Sequence, residues 1–253
     1  MDQIKFLLKF GERKYLERLQ CGNLYFSNAL KFRYYEEKLL IKGQGDRLEG
    51  GSMIHTNDFS LIDNSSDELV LSGVKSKMLT HYEPANMLPV YCLFACFGKD
   101  CHRDSGGNLH IHLGEDIKND IISHFPKADT VAVISNPEKF IENVNESIGY
   151  ENKSGLVNYF NLLGYDGKCN DLEYFKYLTQ DIAPVKEDGK TTYTFNDKYV
   201  YRSLLCKDIF FNKEQEYRFI LPSNKISDPR EFKVKLSEEI QLEDIEMFFN
   251  RKV

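Results

Sequence analysis

The chain has no tryptophan, no excess of positive charge and no apolar run long enough to cross a membrane. Its 33 Lys and Arg are outnumbered by 39 Asp and Glu, and the net charge of −6 excludes the global basic signature of a nucleic-acid binder. No secretory leader opens the chain, so the expectation is a cytoplasmic protein. Six cysteines (Cys21, Cys92, Cys96, Cys101, Cys169, Cys206) are scattered without the dense spacing of a disulfide framework, and they read as reduced thiols. The glycine-rich stretch 43–51 has no Gly-Lys-Ser/Thr to make it a Walker A loop, and no Gly-x-Ser-x-Gly elbow occurs. His110 and His112 alternate near Cys101 and His102, but no Cys-x-x-Cys or His-x-x-x-His spacing supports a structural zinc.

What is present is an ordinary globular composition, 42% hydrophobic and 28% charged, rich in Phe and Tyr. Residues 4–10 alternate as a half-buried strand, 12–20 read as a helix stopped by Gly22, and 23–27 as a second strand. The nearly continuous apolar run 90–97 has the length and character of a central strand, and 130–134 of another buried one. Helices are expected over 114–125, with Ile117, Ile121 and Ile122 inward, from Asn136-Pro137 to Val144, and over 171–179. A last strand is expected over 231–236 and a small helix over 242–249. With no internal repeat and no linker, residues 1–253 read as a single α+β domain. Its core is a mixed, mostly antiparallel sheet flanked by short helices.

The stretch that carries chemistry is Phe211 to Leu221. Tyr217, Phe219 and Leu221 alternate with Glu216, Arg218 and Ile220, as in a strand. On an extended chain Glu214 and Glu216 point to the same side, and Arg218 continues the row. Carboxylates so placed repel unless a cation, a proton or a ligand's hydroxyls satisfy them. A solvated edge strand is the structural alternative. Breaking a glycosidic bond requires a carboxylate beside the developing oxocarbenium charge, and a second glutamate can orient or deprotonate an acceptor. Asp46, Arg47 and Glu49 lie on the glycine-rich loop, where the backbone allows close approach of a ligand. Joined to Glu214 and Glu216, Asp46 or Glu49 could also hold Mg²⁺ in a nuclease site, though Arg218 stands where such sites carry lysine.

Glu214-Gln215-Glu216 resembles the Glu-x-Glu motif of ADP-ribosyltransferases. The opening strand, the helix at 12–20, Gly22 and Leu24-Tyr25-Phe26-Ser27 are similar to the start of that fold. The resemblance implies NAD as substrate, Glu216 as catalytic carboxylate and Glu214 as its acceptor-side companion. It places Tyr25 or Ser27 beside the nicotinamide ribose and Arg47 or Arg218 near the pyrophosphate. The first strand offers Lys5 and Lys9 where the family has Arg or His, so Lys9 is the candidate there. Gly45-Asp46-Arg47-Leu48-Glu49-Gly50 and Glu214-Gln215-Glu216-Tyr217-Arg218 also resemble uncharacterised bacterial and phage proteins of the DUF2971 type. The role implied by the ADP-ribosyltransferase resemblance is a bacterial toxin or anti-phage effector. It would modify a nucleic acid or a protein, with an antitoxin or other inhibitor as a further partner. The other readings are the Mg²⁺ nuclease and a non-catalytic binding module.

Overall fold

The computed structural model describes residues 3–39, 45–56, 58–63, 65–73, 76–149, 151–164, 169–183, 185–187, 189–192 and 198–251. Strand β1 (Phe6–Gly11) leads through helix α1 (Arg13–Gln20) to β2 (Asn23–Phe26) and α2 (Ala29–Leu39). A nested hairpin follows: β3 (Gly51–Thr56), β4 (Phe59–Ile62), β5 (Leu69–Gly73) and β6 (Ser76–His81). The middle holds β7 (Val90–Cys96), β8 (Cys101–Arg103), β9 (Leu109–Ile111), α3 (Glu115–His124), β10 (Thr130–Ile134) and α4 (Pro137–Ile148). Next come β11 (Lys153–Leu156), β12 (Asn158–Phe160), α5 (Asp171–Thr179), β13 (Val185–Glu187) and β14 (Lys190–Thr192). The chain closes with β15 (Cys206–Asp208), β16 (Glu216–Ile220), β17 (Arg230–Lys233), β18 (Gln241–Asp244) and α6 (Ile245–Phe249).

Six strands form the main sheet in the order β11-β16-β7-β1-β10-β18, with every neighbouring pair antiparallel. The short β12–β15 pair is parallel. The expected α+β architecture, a mostly antiparallel sheet with short helices, is what the chain adopts. Residues 90–97 make the interior strand their apolar run called for, and β10 is buried along its whole length.

One face of the sheet presents Leu7, Leu93, Ile134 and Phe219 to Leu16 and Leu19 of α1 and to Phe140 and Val144 of α4. The other face is divided. Beside β1 and β10, Leu8, Phe10 and Val133 pack with Ile121 of α3 and Phe248 of α6. Beside β7 and β16, Val90 and Ile220 pack with Ala29, Val200 and Leu204. On this divided face β16 also presents Glu216 and Arg218.

Three expectations change in detail. Ile122 is half exposed because it sits a full 100° around α3 from the buried Ile121. Leu242 belongs to β18, paired with Ala132, and the helix begins only after Asp244, whose Oδ1 accepts the N–H groups of Glu246 and Met247. The strand expected over 231–236 is β17 and ends earlier, at Lys233.

The sheet forks at β7. At one end Phe6, Leu7 and Leu8 of β1 pair with Cys96, Ala95 and Phe94. At the other end Ser27, just past β2, exchanges both backbone hydrogen bonds with Val90. Between them the Cys92 carbonyl faces neither strand's backbone. It accepts the Lys9 ammonium at 2.7 Å.

Candidate active site

The carboxylate pair is built where a 3-10 turn runs into β16. Residues Ile209–Glu214 form the turn, capped by Asp208, whose Oδ1 accepts the Phe210 N–H. Gln215 then adopts a left-handed conformation at φ 40°. A non-glycine residue holds that conformation at a cost, and here its side chain donates to Asp100 Oδ2 at 3.1 Å. Glu214 therefore ends a turn and does not share an extended strand with Glu216, which corrects the sequence expectation. The redirected chain nevertheless brings both carboxylates to one cation. Lys207 Nζ donates to Glu214 Oε2 at 2.5 Å and to Glu216 Oε1 at 2.6 Å. Nor is β16 an edge: β11 and β7 flank it, and all five of its residues are buried.

Arg218 continues inward from the pair. Its Nε donates to Glu216 Oε2 at 2.6 Å, and its Nη1 and Nη2 grip Glu49 at 2.6 and 3.0 Å. Nη1 also donates to the Leu204 carbonyl. Both Arg218 and Glu49 are 1% exposed, while the Glu214 and Glu216 side chains are each 11% exposed. The network thus runs from a sealed bidentate pair outward to a carboxylate pair within reach of solvent. The guanidinium is a buried strut whose donors are already engaged, in contrast to the pyrophosphate contact expected of Arg218.

The two glutamates differ in proton affinity. Burial raises the Glu216 pKa, but Arg218 and Lys207 outweigh it and hold the group well below the usual carboxylate range. Glu214 is pushed well above that range, chiefly by burial; Lys207 opposes the shift and the negative charge of Glu216 adds to it. Its Oε1 accepts no hydrogen bond and lies 3.7 Å from His124 Nδ1, whose own pKa is lowered by burial. Lys207 keeps its charge because the two glutamates overcome its desolvation, and it also sits 4.0 Å from the centre of the Phe211 ring. The Glu216 N–H donates to the hydroxyl of Tyr159 at 2.8 Å.

Asp46 and Glu49 turn inward and Arg47 turns out. Gly45 packs so closely on α2 that a Cβ there would lie 2.3 Å from the Glu36 backbone nitrogen, which tucks the loop against the helix. Gly43 and Gln44 lie outside the described residues. Arg47 is exposed, with its N–H bound to Glu36 and its carbonyl to His81 Nε2, so it does not join the cluster. Asp46 accepts the Leu48 N–H on Oδ1, while Oδ2 is buried without a partner.

Burial, with Glu49 adding to it, raises the Asp46 pKa to about 7. An unfolded Asp titrates near ~4. The native state therefore binds this proton more tightly, and stability falls as pH rises from about 4 to about 7, by on the order of a few kcal/mol. Asp46→Asn removes that slope. Urea midpoints at pH 5 and pH 8 should fall less for the variant than for the wild type, and parallel pH curves would contradict the assignment.

Lys9 and Ser27 flank the fork, Lys9 at Cys92 and Ser27 at Val90. Burial lowers the Lys9 pKa, with Cys92 and Glu216 acting the other way. Burial pushes the Cys92 thiol up to about 12. Ser27 Oγ is buried and has no hydrogen-bond partner. Across β7, Glu216 stands opposite Phe94 and Ser27 opposite Val90. That separates them by about 13 Å along the strand, on the same region of the molecule and not in contact. Tyr25 is 59% exposed, facing outward from β2 beside Tyr15 and Tyr35. The structure thus joins Glu214 and Glu216, sets Lys9 and Ser27 at the neighbouring fork, and leaves Tyr25 and Arg47 on the surface.

No family model, curated protein or solved structure matches the chain.

The residues that sequence reasoning missed are Lys207, Tyr159 and His124. Lys207 joins the two glutamates, yet it precedes Glu216 by nine positions and lies beyond the intervening turn. Its ammonium occupies one oxygen of each glutamate, and Glu49 gives both oxygens to Arg218. Among the described residues no group of three or more His, Cys, Asp or Glu is arranged to hold a metal ion. Among them, too, no helix is long and apolar enough to cross a membrane. Cys21, Cys92, Cys96, Cys101 and Cys206 form no disulfide.

Proposed function

We propose that the chain is an ADP-ribosyltransferase that uses NAD to modify a nucleic acid or a protein, acting in the bacterial cytoplasm as a toxin or anti-phage effector. The observation that carries this reading is the pair of glutamates on one lysine with proton affinities driven apart. Two neighbouring carboxyls in such different states divide the labour of acid–base chemistry. Glu216, kept ionised, stabilises the positive charge that grows on the ribose carbon as the bond to nicotinamide breaks. Glu214, a stronger base than an ordinary carboxylate, takes the proton from the acceptor as the new bond forms.

The pair already accommodates a cation, the Lys207 ammonium. For Glu216 to face a sugar cation, that ammonium must swing towards Glu214. NAD also fits the unsatisfied polar groups nearby: Ser27 Oγ and Glu214 Oε1 have unused hydrogen-bonding capacity, and Lys9 is a partly buried donor at the fork. A cognate inhibitor protein would act by covering this region.

The test is to incubate the protein with NAD labelled in its adenylate moiety, together with DNA, RNA or cell protein. Covalent label in one acceptor class, lost in Glu214→Gln, is the expected result. Label that enters no acceptor, or that enters equally with Glu214→Gln, would overturn the reading.

A further inference from the structure

The main sheet ends on an unpaired strand. β18 pairs with β10 on one side, and among the described residues no strand lies on its other side. The register fixes which of its backbone groups face outward. The Ile245 N–H donates to the Asp129 carbonyl at 3.0 Å, so Glu243 and Gln241 also turn their backbone groups towards β10. Ile240, Leu242 and Asp244 then turn theirs away from it. The Ile240 carbonyl is taken by the side-chain amide of Gln20 at 2.7 Å. Among the described residues no loop or side chain bonds the N–H and carbonyl of Leu242 or the N–H of Asp244.

An open cleft of about 480 Å³ runs beside this edge. Arg13, Glu17 and Gln20, one stripe of α1, form one wall, and Glu239, Leu242 and Glu243 form the other. Leu242 packs into the core that holds Leu16 and Leu19 of α1, so by alternation Glu243 faces the opposite side of the sheet. The cleft is acidic. Among its described lining residues Arg13 is the one cation, and Asp129 stands beside it. Arg251 pairs with Glu243 from outside the cleft. Glu17 and Glu239 are exposed and form no ion pair with any described residue.

We propose that this edge takes up an extended, basic segment of a partner protein as a seventh strand of the main sheet. The outward backbone groups of Leu242 and Asp244 supply the main-chain hydrogen bonds, and the cleft receives the side chains. Successive residues of the segment point to opposite faces, so Lys or Arg at neighbouring positions meets Glu17 on the α1 side and Glu243 on the other. A second copy of the chain does not fit as the occupant. Two β18 edges brought together would set Glu243 and Asp244 of one against those of the other, and like charges across a ladder repel. β18 lies four strand spacings, about 19 Å, from β16, so a bound segment leaves the carboxylate pair uncovered. The inference is independent of the proposed transferase activity.

The test uses the intact protein and a fluorescein-labelled peptide of four Lys-Lys-Thr repeats, with Glu-Glu-Thr repeats as the control. Binding is read by anisotropy, and amide hydrogen exchange is followed by NMR. The Lys peptide should bind and the Glu peptide should not. Exchange at the Leu242 and Asp244 amides should slow on binding, which attraction to an acidic surface alone would not produce. Glu17→Arg, at an exposed helix position, should leave the circular dichroism unchanged and weaken the Lys peptide by about fivefold or more. No binding, binding without slowed exchange at those two amides, or binding indifferent to Glu17→Arg would each overturn the proposal. So would protection of the two amides that grows with protein concentration in the absence of peptide, since a second copy would then be the occupant.

Discussion

Replacing Glu216 by Gln should lower NAD turnover by about two orders of magnitude or more while leaving the fold intact. Gln keeps the shape of the side chain and can still accept from Arg218 Nε, which lies 2.6 Å from Oε2 in the wild type. What it loses is the negative charge, and that charge matters most in the transition state, when the ribose carbon becomes cationic. NAD binding should change little, so the loss should fall on kcat more than on KM. Stability should fall somewhat under either reading, because Lys207 and Arg218 lose their shared anion, and a purely structural Glu216 differs in that there would be no turnover to lose. A magnesium ligand makes a third reading, in which activity lost in the variant returns partly with added Mg²⁺. Measuring turnover, thermal stability and Mg²⁺ response on the same preparations separates the three.

The second large effect is on stability. Glu49→Ala strips both carboxylate oxygens from Arg218 in a site where each partner is 1% exposed. Removing one member of a sealed ion pair leaves an uncompensated buried charge, and the expected cost is about 3–5 kcal/mol. A domain of this size has roughly 5–15 kcal/mol in total, so the variant should unfold at a much lower denaturant concentration. The exposed pair Lys139–Glu142 serves as the contrast, since Glu142→Ala should barely move the midpoint. Equal shifts for the two variants would show that the Glu49–Arg218 contact is not the buried strut described above. Glu49→Gln should be less harmful than Ala, because the amide oxygen can still accept one of the two guanidinium bonds.

Much of the frame was legible in the sequence. The apolar run of β7 and the strict alternation of β16 left few other placements, and Asn136-Pro137 marked the start of α4, whose Asn136 side chain accepts the Lys139 N–H. The row Glu216, Arg218, Ile220 does lie on one face. The site was legible only in part, for physical reasons. A left-handed Gln215 is invisible to a period-two pattern, so Glu214 was read onto the strand. Lys207 sits in a short strand after a 3-10 turn, Val200–Leu205, with no periodicity to announce it. Glycines in the 43–51 loop suggested a loop open to a ligand; in the structure Gly45 allows the loop to press onto α2, which turns Asp46 and Glu49 into the protein. Tyr25 alternates correctly on β2, but no described residue covers that face, so its ring faces solvent.

The most direct test of the central claim is release of free nicotinamide from NAD, followed by mass spectrometry with DNA, RNA and protein acceptors present, for wild type beside Glu216→Gln. The account predicts release by the wild type that increases with pH as Glu214 loses its proton, and release at least about a hundredfold slower in the variant. No release by the folded wild type under any acceptor condition, or equal release by both proteins, would contradict it.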